Sequence, residues 1–401
     1  MPAGATFVGF GFGAIQSGLF LTEAFNSGGF NRLVVAEVLP ERVDAIRRSG
    51  GSFSVNSAAA DKRIVQTVTG VEIYNPMVPE DAELLIDALA SASEISTALP
   101  SVLFYDRGTP SVAGLLREAC GRKIADPTLP SAIIYTAENN NHAAERLWED
   151  IGRPFDAAGS AAAAGRMQAL NTVVGKMSSV VTDPDQIAAL GLAPIVPGAS
   201  EAFLVEAFNR ILISKIALPD CERRISVFEE KMDLLPFEEA KLYGHNAIHA
   251  LLGYLAHERG LTLMSEIADH PDLLAIGRSA FLDESGAALV RKYDELDPLF
   301  TLAGMNAYAE ELLVRMLNPN LQDPVDRIVR DPLRKLGWND RLIGTIRLAL
   351  EHDIAPTNLL KGARAALQTV AGPTPMKALL AEWETEGASR DAIHRVATLL
   401  S

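Results

Sequence analysis

The stretch TFVGFGFGAIQSG, residues 6–18, joins a short apolar run to a cluster of glycines. Thr6 to Phe10 predicts a buried strand, and the apolar run from Ala14 to Phe25 predicts the helix that follows. Glycine at such a junction lets the chain turn sharply and approach a phosphate, to which the helix N-terminus offers N–H groups. The stretch therefore predicts a dinucleotide-binding loop, with three candidate cofactor contacts: Gly11, Gly13 and Gly18.

Further strands and helices alternate along the first half of the chain. RLVVAEV, residues 32–38, and AIIYT, residues 132–136, predict buried strands, and residues 41–48 predict a short helix. Apolar strands that alternate with helices indicate βαβ units and a parallel sheet covered on both faces. Residues 156–167, rich in Ala and Gly, fit either a helix or a loop.

The pattern changes after LAPIVPGAS, residues 192–200. Beyond it, apolar residues recur at three- and four-residue spacing, which predicts helices and almost no strand. We therefore expect an α/β protein with a Rossmann-type dinucleotide-binding domain, residues 1–195, followed by a mostly α-helical substrate and catalytic domain, residues 196–401. The predicted helices of that second domain span residues 202–216, 239–259, 273–281, 286–293, 307–317, 340–351 and 375–384.

Charge narrows the range of partners. The 401 residues include 36 Lys and Arg against 51 Asp and Glu, a formal net charge of −15. An acidic surface repels phosphate backbones and anionic lipid, so we expect no nucleic acid and no membrane as partner. The N-terminus lacks the basic region of a secretory signal, and Cys120 and Cys221 are expected to be free thiols, so a cytoplasmic location is expected. A monomer and a small homo-oligomer both remain open.

An acidic residue, Glu37, lies near the end of the second predicted strand. A carboxylate there accepts hydrogen bonds from both hydroxyls of an adenosine ribose and repels a 2′-phosphate, which favours NAD over NADP. The alternative interpretation is an ordinary solvated acid. The third glycine of G-x-G-x-x-G is replaced by Gln16, so the motif is imperfect.

The most informative stretch is EEAKLYGHNAIH, residues 238–249. At about 100° per residue, Lys241, His245, His249 and Asn246 lie at about 0°, 40°, 80° and 140° around a helix. They form a polar wedge on an otherwise largely apolar helix. Burial lowers the pKa of an amine toward neutrality, which would make Lys241 a general base. The alternative is a lysine that extends to solvent from the start of the helix.

The histidine pair has the spacing of two metal ligands. His245 and His249 stand four residues apart, as two ligands on one helix can. However, no Glu follows the first His, and His257 is the nearest further candidate. We therefore expect no metal, and we interpret His245 as a packing residue.

Lys-x4-Asn-x2-His on a buried helix resembles the polyol-specific long-chain dehydrogenases of the mannitol dehydrogenase type, and within them the branch that acts on mannitol 1-phosphate. The similarity runs from residue 7 to near residue 370 and is strongest in the second half. The other matching segments are IIYTAEN (133–139), EAFNRILISK (206–215) and NPNLQDPVDRIVRDPLRKLGWNDRLI (318–343).

The resemblance implies an NAD-dependent, metal-free oxidoreductase that interconverts a linear polyol, such as a hexitol phosphate, and its ketose. Lys241 would take the hydroxyl proton, and Asn246 and Asn139 would donate hydrogen bonds to the oxygen that becomes a carbonyl. His249 would hold a neighbouring substrate hydroxyl. Glu238 would relay the proton to solvent.

Two cations, Arg327 and Lys335, match the family's contacts to the far end of the substrate. Lys335 lies in one short basic stretch with Arg330, Arg334 and Arg341, which suits a phosphate. Without the resemblance, solvated charges in a basic loop would be the simpler interpretation.

Three departures from the family pattern concern the cofactor side and the floor of the substrate site. They are Gln16 in the glycine loop, Ala98-Leu99-Pro100 in place of Ala-Val-Gly, and Gly175-Lys176 in place of Asp-Arg. They leave two alternatives open: a dehydrogenase of free hexitols or hexonates, and a catalytically silent NAD-binding sensor.

Overall fold

The computed structural model describes residues 4–219 and 221–400. The chain divides into two compact units, Met1–Leu234 and Leu235–Ser401. The strands of the first unit are β1 (Ala5–Phe10), β2 (Phe30–Ala36), β3 (Phe53–Ala58), β4 (Arg63–Val68), β5 (Val71–Tyr74), β6 (Ala92–Thr97), β7 (Ala132–Thr136), β8 (Met167–Val173), β9 (Ser178–Val181), β10 (Ala202–Glu206), β11 (Ile211–Ser214) and β12 (Phe228–Lys231).

Helices connect most of these strands. The first begins at Ala14, runs through a π-helical segment, Gln16–Leu21, and continues as α1. Asp156 caps the helix of the ambiguous Ala-rich stretch by accepting a hydrogen bond from the Gly159 N–H at 2.7 Å. The α-helices are α1 (Thr22–Ser27), α2 (Pro40–Arg48), α3 (Pro79–Ser91), α4 (Val112–Ala125), α5 (Ala143–Gly152), α6 (Ala157–Ala164) and α7 (Pro184–Leu190).

The main sheet has eight strands in the order β12-β11-β8-β7-β6-β1-β2-β5. All neighbours are parallel except β8 and β11. In the central strand, Val8 is in register with Val34 of β2 and with Ile95 of β6. The chain thus winds to one side of β1 and later to the other, as in Rossmann-type folds. The predicted fold class is confirmed.

Each face of the main sheet has its own apolar core, because successive side chains of a strand point to opposite faces. Phe7 belongs to a core that includes residues of the helix after β1 and of β3 and β10. Val8 belongs to the other core, with residues of α3, α4 and α5. This two-sided burial is what the near-continuous apolar strands predicted.

A second sheet, in the order β4-β3-β10-β9, also lies in the first unit. The helix predicted for residues 202–216 is therefore wrong, since β10 and β11 occupy that range. Two short apolar runs, AFLVE and ILIS, are separated there by polar residues, and their spacing also fits a helix. The predicted boundary near residue 196 accordingly falls inside the first unit.

The second unit is built from helices within residues 235–400. Three segments form the predicted lysine helix: α8 (Leu235–Glu239), a π-helical segment (Ala240–Asn246) and α9 (Ala247–Glu258). The others are α10 (Pro271–Ser279), α11 (Gly286–Tyr293), α12 (Leu302–Met316), α13 (Val325–Val329), α14 (Pro332–Lys335), α15 (Ile343–Glu351), α16 (Thr357–Gln368), α17 (Pro375–Thr385) and α18 (Arg390–Leu400).

Helix α9 lies at the centre of this unit and is buried along most of its length. Its Gly253 permits a close approach, since a Cβ there would come within 2.4 Å of Ile328 in α13. In the described ranges, no helix combines the length and the apolar character needed to cross a bilayer. Cys120 is buried and Cys221 half-buried, and both are free thiols.

Candidate functional site

A cleft of about 580 Å³ lies in the first unit at the carboxyl ends of β1, β2, β5 and β6. In doubly wound sheets, ligands bind where the strand order reverses, and β1 stands at that point here. The glycine loop forms one wall, and the residues after β2 and β6 form others. The lining includes Gly11, Phe12, Gly13, Glu37, Arg42, Ala98, Leu99 and Pro100.

Two of the three predicted loop glycines lie on this cleft. Gly11 has a φ of +84°, and its N–H donates to the Ala36 carbonyl at 2.9 Å. A Cβ on Gly11 would come within 3.0 Å of the Ala98 oxygen, so both conformation and space require glycine. A Cβ on Gly13 would meet no described atom within 4 Å, so its main chain is open to a ligand.

Gly18 serves a different purpose from the predicted one. It lies in the buried π-helical segment, where a Cβ would come within 2.5 Å of the Val205 side chain. It is not among the residues that line the cleft. Gly18 allows this helix to pack closely on β10, so the prediction of a cofactor contact there is not supported by its position.

Gln16 fits because Gly9 makes room for it. A Cβ on Gly9 would come within 2.0 Å of the Gln16 amide nitrogen. The Gln16 side-chain oxygen accepts a hydrogen bond from the Ser96 hydroxyl at 2.9 Å. The loop thus tolerates a large residue at the third glycine position, because an adjacent strand residue has no side chain.

Glu37 is buried at the cleft wall and held by main-chain donors. The Phe12 N–H donates to one carboxylate oxygen at 3.1 Å, and the Val38 and Leu39 N–H groups donate to the other at 2.7 and 3.0 Å. Arg42 lies 3.4 Å from Glu37, while it makes two 2.8 Å bonds to Glu201. A carboxylate has about four acceptor positions, so a ribose hydroxyl would have to share or replace the long Arg42 contact.

The end of β7 is tied to the loop that follows β6. The buried Glu138 carboxylate accepts hydrogen bonds from the Leu99 N–H at 2.8 Å, the Thr97 hydroxyl at 2.9 Å and the Tyr105 hydroxyl. Burial raises the pKa of Glu138 despite these bonds. The next residue, Asn139, is exposed. Glu138 thus fixes the position of Leu99, which belongs to the segment that differs from the family pattern, at the cleft.

The departure at Gly175-Lys176 belongs to a buried network in the first unit. The Lys176 ammonium donates to the Asn209 side-chain oxygen at 2.6 Å, and the Asn209 amide donates to Glu23. Burial raises the pKa of Glu23, and the charge of Lys176 opposes this shift. Lys176 is therefore part of a buried polar network inside the first unit.

Lys241 lies in the π-helical segment between α8 and α9. Its ammonium group is enclosed although the residue as a whole is half-buried. Burial, with the nearby charge of Arg341, lowers the pKa of Lys241 to about 8, and Glu238 opposes the shift. An amine with such a pKa can exchange a proton near neutral pH, which is the property that a general base needs.

The other wedge residues differ in burial. His245 is buried, and burial together with His249 and nearby cations lowers its pKa well below the ordinary value. Its ring centre lies 6.1 Å from that of His249. Asn246 is half-buried. Among the residues that the structure describes, no three His, Cys, Asp or Glu side chains are grouped as metal ligands.

The two remaining predicted cations of the second unit, Lys335 and Arg327, both have charged neighbours. Lys335 is buried, and burial, Arg334 and Arg341 lower its pKa to about 8. Arg341 thus acts on both Lys241 and Lys335. Arg327 donates to Asp323 at 2.8 and 2.6 Å, so its guanidinium already has a partner.

Asp323 was not predicted as a site residue. One of its carboxylate oxygens lies 3.1 Å from Nε2 of His249. Asp323 precedes Pro324, the N-cap of α13, and pairs with Arg327 in that helix. The contact with His249 has no signal in the sequence, because it depends on the packing of two distant segments.

The chain is similar to known polyol dehydrogenases. Residues 233–375 match the model of the mannitol dehydrogenase C-terminal domain. The chain is 29% identical over 394 residues to the mannitol-1-phosphate 5-dehydrogenase of Pseudarthrobacter chlorophenolicus, covering 98% of this chain and 92% of that protein.

Two solved structures share the fold. A D-sorbitol dehydrogenase in substrate-free form matches with a TM-score of 0.74 and 15% identity, covering 91% of this chain and 80% of that one. The Pseudomonas fluorescens mannitol 2-dehydrogenase, in a ternary complex with NAD and D-mannitol, matches with a TM-score of 0.68 and 15% identity, covering 98% and 88%. By these comparisons the chain is similar to mannitol-1-phosphate 5-dehydrogenases along nearly its whole length, and its second unit is similar to the mannitol dehydrogenase C-terminal domain.

Proposed function

We propose that this chain is an NAD-dependent oxidoreductase that interconverts a linear polyol and its ketose, with a hexitol phosphate such as mannitol 1-phosphate as substrate. The observation that carries the proposal is the placement of Lys241, Asn246 and His249 on one helix, where burial lowers the pKa of Lys241 to about 8. The name of the 29% identical relative supports the choice of substrate.

The cleft of the first unit fits the adenosine and pyrophosphate parts of NAD. Gly11 brings main chain close to a ligand without a Cβ, and the helix that begins at Ala14 offers N–H groups to phosphate. Glu37 would accept hydrogen bonds from the ribose hydroxyls. When bound, NAD supplies the acceptor for a hydride.

In the proposed reaction, Lys241 in its neutral form accepts the proton of the reacting hydroxyl as the C–H bond of the same carbon gives up its hydride. Asn246 donates a hydrogen bond to the oxygen as it becomes a carbonyl, which stabilises its negative charge. The family resemblance implies the same role for Asn139. Glu238 would pass the proton to solvent. His249 would hold a neighbouring hydroxyl of the polyol.

The phosphate would bind at the basic residues of the second unit. Arg334 and Arg341 lower the pKa of Lys335, and Asp331 and Asp340 raise it, so three cations stand against two carboxylates. A dianionic phosphate would offset this excess of positive charge. Arg327 would contribute the part of its guanidinium that is not directed at Asp323.

The test is a substrate panel. NADH formation is followed with mannitol 1-phosphate, other polyol phosphates, free hexitols and hexonates. Turnover of phosphorylated polyols supports the proposal, and a preference for free hexitols or hexonates would favour the alternative enzyme. NAD binding by calorimetry without any turnover would instead identify a sensor.

A further inference from the structure

A buried carboxylate of the second unit, Asp323, lies between a histidine and an arginine. Its two oxygens divide their contacts, because Oδ1 accepts from Nε and Nη2 of Arg327 at 2.8 and 2.6 Å. Oδ2 lies 3.1 Å from Nε2 of His249, at ion-pair distance but off the line of a well-aligned hydrogen bond. Asp323 is 8% exposed, so it joins the two side chains away from bulk water.

The main chain around Asp323 is anchored. Its carbonyl accepts a hydrogen bond from the Met264 N–H at 2.9 Å, and the Val325 N–H donates to the Thr262 carbonyl at 2.9 Å. Leu263 forms an isolated β-bridge with Pro324 between these two bonds. The carboxylate therefore occupies a fixed place beside His249.

The carboxylate is in its charged form at neutral pH. Burial by itself raises the pKa of Asp323, but hydrogen bonding and charge from His249 and Arg327 outweigh it, so the net pKa is lowered. A fixed negative charge at Nε2 favours a proton on that nitrogen. In the neutral ring, Nδ1 is then an acceptor.

We propose that Asp323 is a positioning residue that holds His249 in its Nε2–H tautomer and fixes its ring orientation, so that Nδ1 accepts a hydrogen bond from a hydroxyl next to the reacting carbon. This inference rests on the proposed function, because it assigns the atom through which His249 recognises the polyol. In this arrangement, Arg327 stabilises the Asp323 carboxylate by donating hydrogen bonds to its Oδ1.

The experiment compares Asp323→Asn with His249→Ala and with the double variant. We expect Asp323→Asn to raise KM for the polyol by about 10- to 100-fold, the size of effect that loss of an orienting carboxylate has at metal-bound histidines, with kcat less affected. In the His249→Ala background the same change should have little further effect on KM, because residues that act through one another are not additive. A full additional loss in that background would overturn the proposal.

A second readout does not depend on turnover. The readout is imidazole ¹⁵N NMR of the full chain. The His249 signals are those that are missing from the spectrum of His249→Ala, and in the wild type they should show the Nε2–H tautomer. Its loss in Asp323→Asn supports the proposal, and an Nδ1–H tautomer in the wild type contradicts it. If the chain turned over no polyol but gave this NMR result, the proposed function would be wrong, whereas the effect of Asp323 on the His249 tautomer would stand.

The matched control is Asp272→Asn, an exposed aspartate of the same unit that pairs with Arg259. It should change neither KM nor the His249 spectrum. Thermal unfolding of all variants shows whether a change in KM reflects loss of structure. If Asp323→Asn does not fold, Arg327→Met supplies the alternative, because it disturbs the carboxylate from its other side and should also shift the His249 signals.

Discussion

Lys123 of the first unit and Lys241 of the second are both buried lysines whose pKa burial lowers, to about 7 and about 8. Their contacts differ. The Lys123 ammonium donates to the carbonyls of Ala90, Ala92 and Pro130 at 2.9, 2.7 and 2.7 Å. All three of its protons are thus directed at main chain, which favours the ammonium form and opposes the effect of burial.

Both lysines also have ionisable neighbours. Arg166 lowers the pKa of Lys123 and Cys120 raises it. Arg341 lowers the pKa of Lys241 and Glu238 raises it, and His245 and His249 share the Lys241 helix. A lowered pKa therefore does not by itself identify a general base, because burial produces it in both places. The three main-chain acceptors of Lys123 indicate a structural role for that lysine, whereas the polar wedge is the reason to propose Lys241 as the base.

The largest expected effect is on catalysis. Lys241→Ala should lower the rate of polyol oxidation by about 10²–10⁴-fold, the usual contribution of a general base. NAD affinity, measured by calorimetry, should stay the same because the cofactor cleft belongs to the first unit. Steady-state NADH formation checks the rate, and a variant that keeps more than a tenth of the wild-type rate would refute the assignment.

At Lys123 we expect a change in stability and none in catalysis. Lys123→Met removes three hydrogen bonds to main-chain carbonyls, those of Ala90, Ala92 and Pro130, and should lower the free energy of unfolding by about 3 kcal/mol. The kcat of the folded enzyme should not change. Urea unfolding and NADH formation, measured on the same preparation, check both. The comparison fails if Lys123→Met alters kcat while leaving stability intact.

A third buried lysine, Lys335, sharpens the comparison, since its pKa is also lowered to about 8. If it binds phosphate, Lys335→Met should reduce kcat/KM for a phosphorylated polyol by about 10- to 100-fold, the effect of one charge-assisted hydrogen bond. The corresponding free polyol should lose little. Equal losses with both substrates would mean that Lys335 does not distinguish them.

The smallest effects concern the pH profile. Oxidation requires the neutral amine of Lys241, so its rate should rise with pH through about 8. Glu238→Gln removes an anion that favours the ammonium and should move the midpoint down, whereas Arg341→Met removes a cation and should move it up, each by less than about one unit. Arg341→Lys keeps the charge and serves as control. Shifts in the same direction would contradict the charge arrangement.

The sequence predicted those features that depend on local pattern. The strand at residues 132–136 and the helix at residues 286–293 have the predicted bounds, and the polar wedge containing Lys241 lies on one helix. The second sheet was missed, because β3 and β10 pair across a long sequence separation and their short runs carry no periodicity of their own.

The site divides in the same way. Glu37 was predictable from its place after a strand, and it lies on the cleft wall. Gly18 matched a motif but packs against Val205, since glycine serves close packing as well as ligand binding. Asp323 was missed, because its contact with His249 arises only when residues far apart in sequence fold together.

Gly9 and Gln16 occupy one shared volume, which has an evolutionary consequence. Neither residue can change size independently, because a side chain at position 9 would collide with Gln16 and a glycine at position 16 would leave a void. The two positions should therefore vary together among homologues. A search that insists on three fixed glycines would pass over such chains, although the loop keeps the glycines that its cleft requires.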